Sequence, residues 1–353
     1  MNKRISKLFL LSLIICAILT VFMFNITTVN AQNNSAEILI CANSGRILYS
    51  SNANEKMGMA STTKIVTAIT VIDNYDLDKE ITVKKEWTGI EGSSIYLREG
   101  EVFTVRELLY GLMLRSGNDC AVTLASALAG SIDNFCKQMN EKAISVGAFN
   151  SNFKNPHGLD HKEHYTTAYD LALITKYAMK NQDFREIVGC KQKIIGKGES
   201  RRVLNNKNKM LNEYEGSTGV KTGYTKKCGR CLVSSANRDG FELICVVLNC
   251  PPMFERSKSL MNNAYDEYEN CLLASKEVSV CEVTTKKGEK LPAYVDKDIY
   301  YPLTNEERNN IKKVITPYET NKISNQFGVC CGTIEFFIEN HLLFCEKIYT
   351  ILE

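Results

Sequence analysis

The period of apolar and polar residues changes twice along this chain. Residues 36–50, "AEILICANSGRILYS", carry two apolar runs around Asn43-Ser44-Gly45, the pattern of a β-hairpin. From Ser61 the period turns helical. Ile65, Val66, Ala68, Ile69, Val71 and Ile72 cover most of a helix circumference and predict a buried helix. "TVRELLYGLMLRSGNDCAVTLASALAG" predicts two helices broken at Ser116-Gly117-Asn118. "TTAYDLALITKYAMK" predicts an amphipathic helix capped by Thr166 or Thr167. From Gly219 the period becomes that of strands: "GVKTGYT", "RCLVSSAN" and "FELICVVLNC", the last two joined by Asn237-Arg238-Asp239-Gly240. "ERSKSLMNNAYDEYENCLLA" reads as a closing helix.

Strands at both ends of this stretch, with helices between, imply an α+β domain. Its antiparallel sheet is assembled from the two ends, and helices pack on it. From about Glu277 the pattern changes to short strands, "EVSVCEVTT", "KLPAYV", "IYYPL" and "GTIEFFIENHLLFCEKIYTI". They predict a small all-β domain. The expected division is 32–275 for the larger domain and 276–353 for the smaller.

The first 31 residues stand apart. Lys3, Arg4 and Lys7 precede an uncharged apolar run, Leu8 to Phe24, and Val29-Asn30-Ala31 offers small residues for cleavage. This is the pattern of a secretory signal peptide, so the protein is expected outside the cytoplasm. The formal charge of +3 comes from 43 basic and 40 acidic residues, and the leader holds three basic residues and no acidic one. The remaining chain is therefore balanced, which argues against a nucleic-acid partner or a basic membrane patch. Fourteen cysteines are scattered, with an adjacent Cys330-Cys331 pair and a single C-G-R-C at Cys228 and Cys231. Without a second such pair the spacing is a weak zinc signal. Many of these thiols read as small buried apolar residues.

The candidate chemistry begins at "MASTTKIVTA". A helix starting near Ser61 puts Ser61 and Lys64 on one face, so the amine reaches the hydroxyl. Burial disfavours the charged form of a lysine, and a neutral amine can act as a base on the serine. The free backbone N–H groups at the helix start suit an oxyanion. Alone, Ser-x-x-Lys is weak. Two companions strengthen it: Ser116-Gly117-Asn118, 55 residues on, and Lys221-Thr222-Gly223, 105 residues further. The first places a hydroxyl and an amide at a helix break. The second places a charge and a hydroxyl on a strand, beside a glycine that lets a substrate backbone approach.

With these three motifs, and with "GSSIYLREGE", "NPHGLD", "TTAYDLALI" and "VKTGYTKKCGRCLVSSA", residues 36 to about 275 resemble the penicillin-recognising serine enzymes. The resemblance is to the low-molecular-weight D-alanyl-D-alanine carboxypeptidases of the penicillin-binding-protein-5 type, the S11 peptidases. The C-terminal β domain is similar to that family's second domain more loosely. The resemblance implies a β-lactamase/transpeptidase-like domain: an antiparallel sheet with helices on both faces and a helical subdomain. It implies that Ser61 attacks the bond between two D-alanines of a peptidoglycan stem peptide while Lys64 takes its proton. Ser116 would relay a proton to the leaving D-alanine, and Asn118 would hold the substrate's amide side. Lys221 and Thr222, with Gly223, would receive the carboxylate, and the amides of Ser61 and Tyr224 would form the oxyanion hole. β-Lactams would be covalent inhibitors, with no metal and no cofactor. Four positions depart from the family pattern: Gly58 for proline, Cys120 and Cys228 for alanine, and Met253 for arginine, with Arg256 three residues on. The chain stops at "CEKIYTILE", with no amphipathic helix there, so no C-terminal membrane anchor is expected.

Three rival readings follow. His157, His161 and His164 in "HGLDHKEH" could bind a metal, but Pro156 and Gly158 predict a loop rather than a metal-binding helix. A class A β-lactamase needs a further glutamate for deacylation, and Glu141 and Glu163 lie in no such pattern. A non-catalytic cell-wall-binding protein would be expected to have lost a motif residue, and all are present.

Overall fold

In the computed structural model, residues 35–284, 288–318, 324–325 and 328–350 are described. The leader expected at 1–31 lies outside them. Strands β1 (Ala36–Cys41) and β2 (Ile47–Ser51) form the expected hairpin. Its turn needs Gly45, whose φ is +81°. Strands β3 (Ser217–Thr225), β4 (Gly229–Arg238) and β5 (Phe241–Leu248) follow late in the chain. All pair antiparallel in the order β2-β1-β5-β4-β3, so the two ends of the domain are joined along the β1–β5 register, Ala36 opposite Leu248. β5 is buried along its whole length, as a central strand packed on both faces must be.

Helices cover both faces. On one lie α1 (Lys64–Asn74), α2 (Val105–Leu114), α3 (Asn118–Ala129), α4 (Ile132–Ser145), α5 (Ala168–Ala178) and α6 (Gln182–Gly189). Their apolar faces merge with Val220, Val233, Ile244 and Val246 into one core. Several are fixed at their starts by side-chain caps. Thr104 and Glu107 form a reciprocal capping box on α2, and Thr167 accepts the Asp170 N–H on α5. On the other face α7 (Met253–Glu267) packs Leu260, Met261 and Ala264 against Leu232, Leu243 and Cys245.

The closing helix is shorter than its sequence suggests. It ends at Glu267, and Tyr268 turns extended, with φ −114° and ψ 138°. "ENCLLA" then forms strand β6 (Glu269–Ala274), paired with β9 (Ile299–Leu303). The run is too short for its period to separate strand from helix. Strands β7 (Cys281–Thr284), β8 (Lys290–Val295), β10 (Ile311–Pro317), β11 (Gly328–Ile338) and β12 (His341–Thr350) build a second sheet in the order β7-β8-β12-β11-β10. Its own core includes Ala293, Ile334, Phe336 and Ile348. The fold is thus α+β, with an all-β C-terminal domain.

Candidate active site

Ser61 lies in a single 3-10 turn, Ala60–Thr63, that runs directly into α1. The turn is strained at its first residue, since Ala60 has φ +48°. Two further features hold it. Thr62 Oγ donates to the Met59 carbonyl at 2.6 Å. Gly158, with φ +90°, lies against the Ala60 carbonyl so closely that a Cβ there would come within 1.9 Å of the oxygen.

Lys64 is fully buried. Its Nζ lies 3.0 Å from Ser61 Oγ, 2.7 Å from Asn118 Oδ1 and 2.5 Å from the His157 carbonyl oxygen. Burial pushes the Lys64 pKa well down, and the neighbouring Lys221 cation pushes it further. A neutral amine has two N–H bonds and one lone pair. Asn118 Oδ1 and the His157 carbonyl can only accept, so they take the two N–H bonds. The lone pair is left facing the Ser61 hydroxyl, the geometry of a general base.

Ser116 sits in the α2–α3 break at φ +62°, only 5% exposed. Asn118 is the first residue of α3 and is buried. Both ends of its amide are engaged within the protein: Oδ1 by Lys64, and Nδ2 by donation to the Glu91 carbonyl at 2.5 Å. In this state its side chain orders Lys64 rather than presenting a free amide.

β3 is the edge strand of its sheet, so one row of its backbone groups has no partner strand. Lys221 and Gly223 share the face turned toward the Ser61 turn. The missing Cβ of Gly223 would lie 3.0 Å from both the Met59 carbonyl oxygen and the Ser61 nitrogen. The space this glycine leaves on that side is therefore filled by the nucleophile's own backbone. Lys221 is 2% exposed, and its Nζ donates to the Thr222 carbonyl at 2.9 Å. Burial, then the Lys207 charge, bring its pKa to about 7. Thr222, one residue on, belongs to the opposite face. Tyr224 is 61% exposed, with the Arg230 guanidinium 5.6 Å from its ring centroid.

Three contributors escaped the sequence reading. Asp119 is fully buried, and its carboxylate accepts from Ser94 Oγ and from the Ile95, Leu97 and Cys120 amides. It pins the 94–97 loop beside Asn118. Lys207 donates to Ser93 Oγ at 3.0 Å, and its charge helps to lower the pKa of both Lys64 and Lys221. Neither belongs to a short motif. His164 was read only as a possible metal ligand, yet its ring hydrogen-bonds Thr63, two residues after Ser61.

The departures have local explanations. A Cβ on Gly58 would lie 2.4 Å from Cys228 Sγ, so the glycine and the larger thiol accommodate each other. Cys120 packs against Gly111 and Gly117, where added Cβ atoms would come within 2.6 and 2.9 Å of its sulfur. Arg256 is committed elsewhere: it holds Glu37 at 2.8 Å and Tyr49 Oη at 2.8 Å. The three loop histidines each turn Nδ1 to a backbone amide, of Leu159, Glu163 and Lys154 in turn. Among the described residues no cysteine is paired, and nine of the thirteen are buried, as packing residues are. No helix among them is long and apolar enough to cross a membrane.

A family model described as D-alanyl-D-alanine carboxypeptidase, Peptidase S11, matches residues 24–251, and one described as penicillin-binding protein 5, C-terminal domain, matches residues 268–350. The D-alanyl-D-alanine carboxypeptidase DacF of Bacillus subtilis is 31% identical over 318 residues, 86% of this chain and 81% of the relative. DacA of Escherichia coli is 30% identical over 322 residues, 86% and 79% of the two chains. The crystal structure of penicillin-binding protein 5 from Haemophilus influenzae has the same fold, with a TM-score of 0.77 over 90% of this chain and 96% of that one, at 23% identity. With its catalytic and C-terminal domains both matched in order, the chain belongs to the S11 peptidases, the D-alanyl-D-alanine carboxypeptidase family.

Proposed function

We propose that the protein removes the terminal D-alanine from peptidoglycan stem peptides through an acyl-enzyme on Ser61. The observation that carries this reading is the buried, neutral-leaning Lys64 amine 3.0 Å from the Ser61 hydroxyl. Lys64 takes the hydroxyl proton as Ser61 Oγ bonds to the carbonyl between the two D-alanines. The negative charge that develops on that oxygen is met by the N–H groups of Ser61 and Tyr224. Ser116 passes a proton to the departing D-alanine amine, and water then releases the shortened peptide and restores Ser61. Asn118 holds Lys64 in register and borders the substrate's amide side.

The positive charge of Lys207 and Lys221 favours an anion, which supports Lys221, with Thr222 next to it on the free edge of β3, as the receivers of the substrate's terminal carboxylate. β-Lactams imitate the D-alanyl-D-alanine end and acylate the same serine. Such a substrate places the working protein outside the cytoplasm, at the cell wall, in keeping with the leader pattern of residues 1–31.

The test is intact-protein mass spectrometry after brief exposure to benzylpenicillin. The expected result is one lasting adduct on the parent protein and none on Ser61→Ala. An adduct that turns over rapidly would point to a β-lactamase instead. No adduct, together with D-alanine release that EDTA abolishes, would overturn the serine mechanism.

A further inference from the structure

His164 is buried, 5% exposed, on the loop that passes beneath the Ser61 turn. The Phe153 ring packs against it in a T-shaped arrangement, with centroids 5.8 Å apart. Its two ring nitrogens have different partners. Nδ1 accepts the Lys154 N–H at 3.0 Å, so the proton of the neutral ring is on Nε2. Nε2 lies 2.8 Å from Thr63 Oγ and donates to it. Thr63 in turn donates its single hydroxyl proton to the Ala60 carbonyl at 2.8 Å.

The direction of this chain is fixed at its far end. Were Nδ1 protonated instead, Nε2 would become an acceptor and draw the Thr63 proton away from Ala60. The chain also ends at a telling place. Ala60 is held at φ +48°, and its carbonyl shares one peptide plane with the Ser61 N–H. Rotating the Ala60 oxygen therefore rotates that N–H by the same amount.

We propose that His164 is a positioning residue: as its Nε2–H tautomer, acting through Thr63, it holds the Ala60 carbonyl and thereby aims the Ser61 N–H at the oxyanion. The inference rests on the reading of Ser61 as nucleophile. The ring stays neutral at working pH. The titratable and charged groups around it are His157, Asp160, His161, Lys162 and Tyr165 on its own loop, Lys64 on α1, and Lys56, Lys227 and Cys228 across a shared cavity of about 310 Å³. Burial outweighs the Asp160 carboxylate among them and holds the His164 pKa at about 4.

The chain makes its contribution in the transition state, so its loss belongs in the acylation rate rather than in the initial binding of ligand. The experiment measures the limiting rate and half-saturation of acylation by benzylpenicillin for the parent, His164→Ala, His164→Gln, Thr63→Val and the double variant His164→Ala/Thr63→Val. The expected result is a fall of about 10- to 100-fold in limiting rate for each alanine or valine single, with half-saturation unchanged. The double should fall no further than the lower single, because both remove one linked unit. Glutamine, which can donate to Thr63 Oγ, should recover part of the rate. ¹⁵N spectra of the parent at pH 7 should show a neutral His164 with its proton on Nε2.

Acylation of His164→Ala within two-fold of the parent would overturn the proposal. So would multiplying losses in the double variant, or a His164 proton on Nδ1. A parent protein that forms no adduct would instead remove the Ser61 reading itself, a distinct failure visible before any variant is made.

Discussion

Gly158 and Ala60 meet at a distance that excludes any side chain: a Cβ on Gly158 would lie 1.9 Å from the Ala60 oxygen and 2.9 Å from Thr63 Oγ. Gly158→Ala must therefore displace the peptide that carries the Ser61 N–H, besides straining a residue at φ +90°. A loss of at least about 100-fold in penicillin acylation is expected, from the disturbed oxyanion donor. Gly130→Ala is the control. Its φ is also positive, +77°, but nothing lies within 4 Å of the added carbon. It should cost only about 1 kcal/mol of stability and leave acylation intact. Equal acylation rates for the two variants would refute this account of the "HGLD" glycine.

The two active-site lysines predict a bell-shaped pH profile. Acylation needs Lys64 neutral, so the rate rises as pH climbs through its lowered pKa. Carboxylate binding needs Lys221 charged, and in the free protein Lys221 loses its proton near pH 7. The kcat/KM for a D-alanyl-D-alanine peptide should therefore fall above about pH 7. A bound carboxylate stabilises the ammonium, so the corresponding limb of kcat should lie at higher pH. Lys221→Arg should shift the kcat/KM limb upward, since an arginine stays charged. A kcat/KM that keeps rising to pH 9 in the parent would remove Lys221 from carboxylate binding.

Much of this site was legible because its chemistry is local. Ser61 and Lys64 are three residues apart on one helical turn, and the chain itself supplies their contact. The β1–β2 turn and the Asp239-Gly240 turn were legible for the same reason, both resting on residues at positive φ. What remained hidden depends on contacts made across the fold. Asp119 gains its meaning from amides at 95 and 97, and Lys207 from its nearness to Lys221. Gly58 and Cys228 look like two separate departures in the sequence but touch in space. Strand β10 was missed because it is exposed along most of its length, with lysines at its second and third residues and no apolar alternation. β6 was assigned to the helix before it because only its pairing with β9 distinguishes the two states.

Acid should weaken the fold before it touches the carboxylates. His164 and His157 have pKa values lowered from 6.5 to about 4 and about 3, in both cases first by burial. The unfolded chain takes up protons at these rings below pH 6.5, while the folded chain refuses them until pH 4 or lower. Stability thus falls as pH falls through this window and is complete above it. His164 alone accounts for about 3 kcal/mol between pH 6.5 and 4. Denaturant unfolding from pH 7.5 to 4.5 measures it, and His164→Gln should flatten the slope. A stability independent of pH across that range in the parent would show that the rings open to solvent.

The two domains are joined by a specific contact at Arg46. Its guanidinium donates to the Pro302 carbonyl and makes a bidentate pair with Glu307, and it lies 5.1 and 5.3 Å from the ring centroids of Tyr268 and Tyr301. The two side chains are only 16% and 23% exposed, so desolvation offsets much of their attraction and the pair itself is worth about 1 kcal/mol, but the same Arg46 side chain also satisfies a carbonyl and stacks on two rings. Burial raises the Glu307 pKa, yet the hydrogen bond from Arg46 leaves it below its ordinary value. The pair therefore stabilises the junction above about pH 4.5 and is lost as pH falls below it. Arg46→Ala should leave penicillin acylation of Ser61 within two-fold of the parent, because Arg46 has no contact with that site. It should speed proteolytic cutting between α7 and β7, where the chain passes from one domain to the other. Arg46→Lys should not restore resistance, since an ammonium can neither form the bidentate pair nor stack in the same way. Glu307→Gln should behave like Arg46→Ala. Unchanged proteolysis in both variants would mean that the Arg46 contact does not hold the C-terminal domain in place.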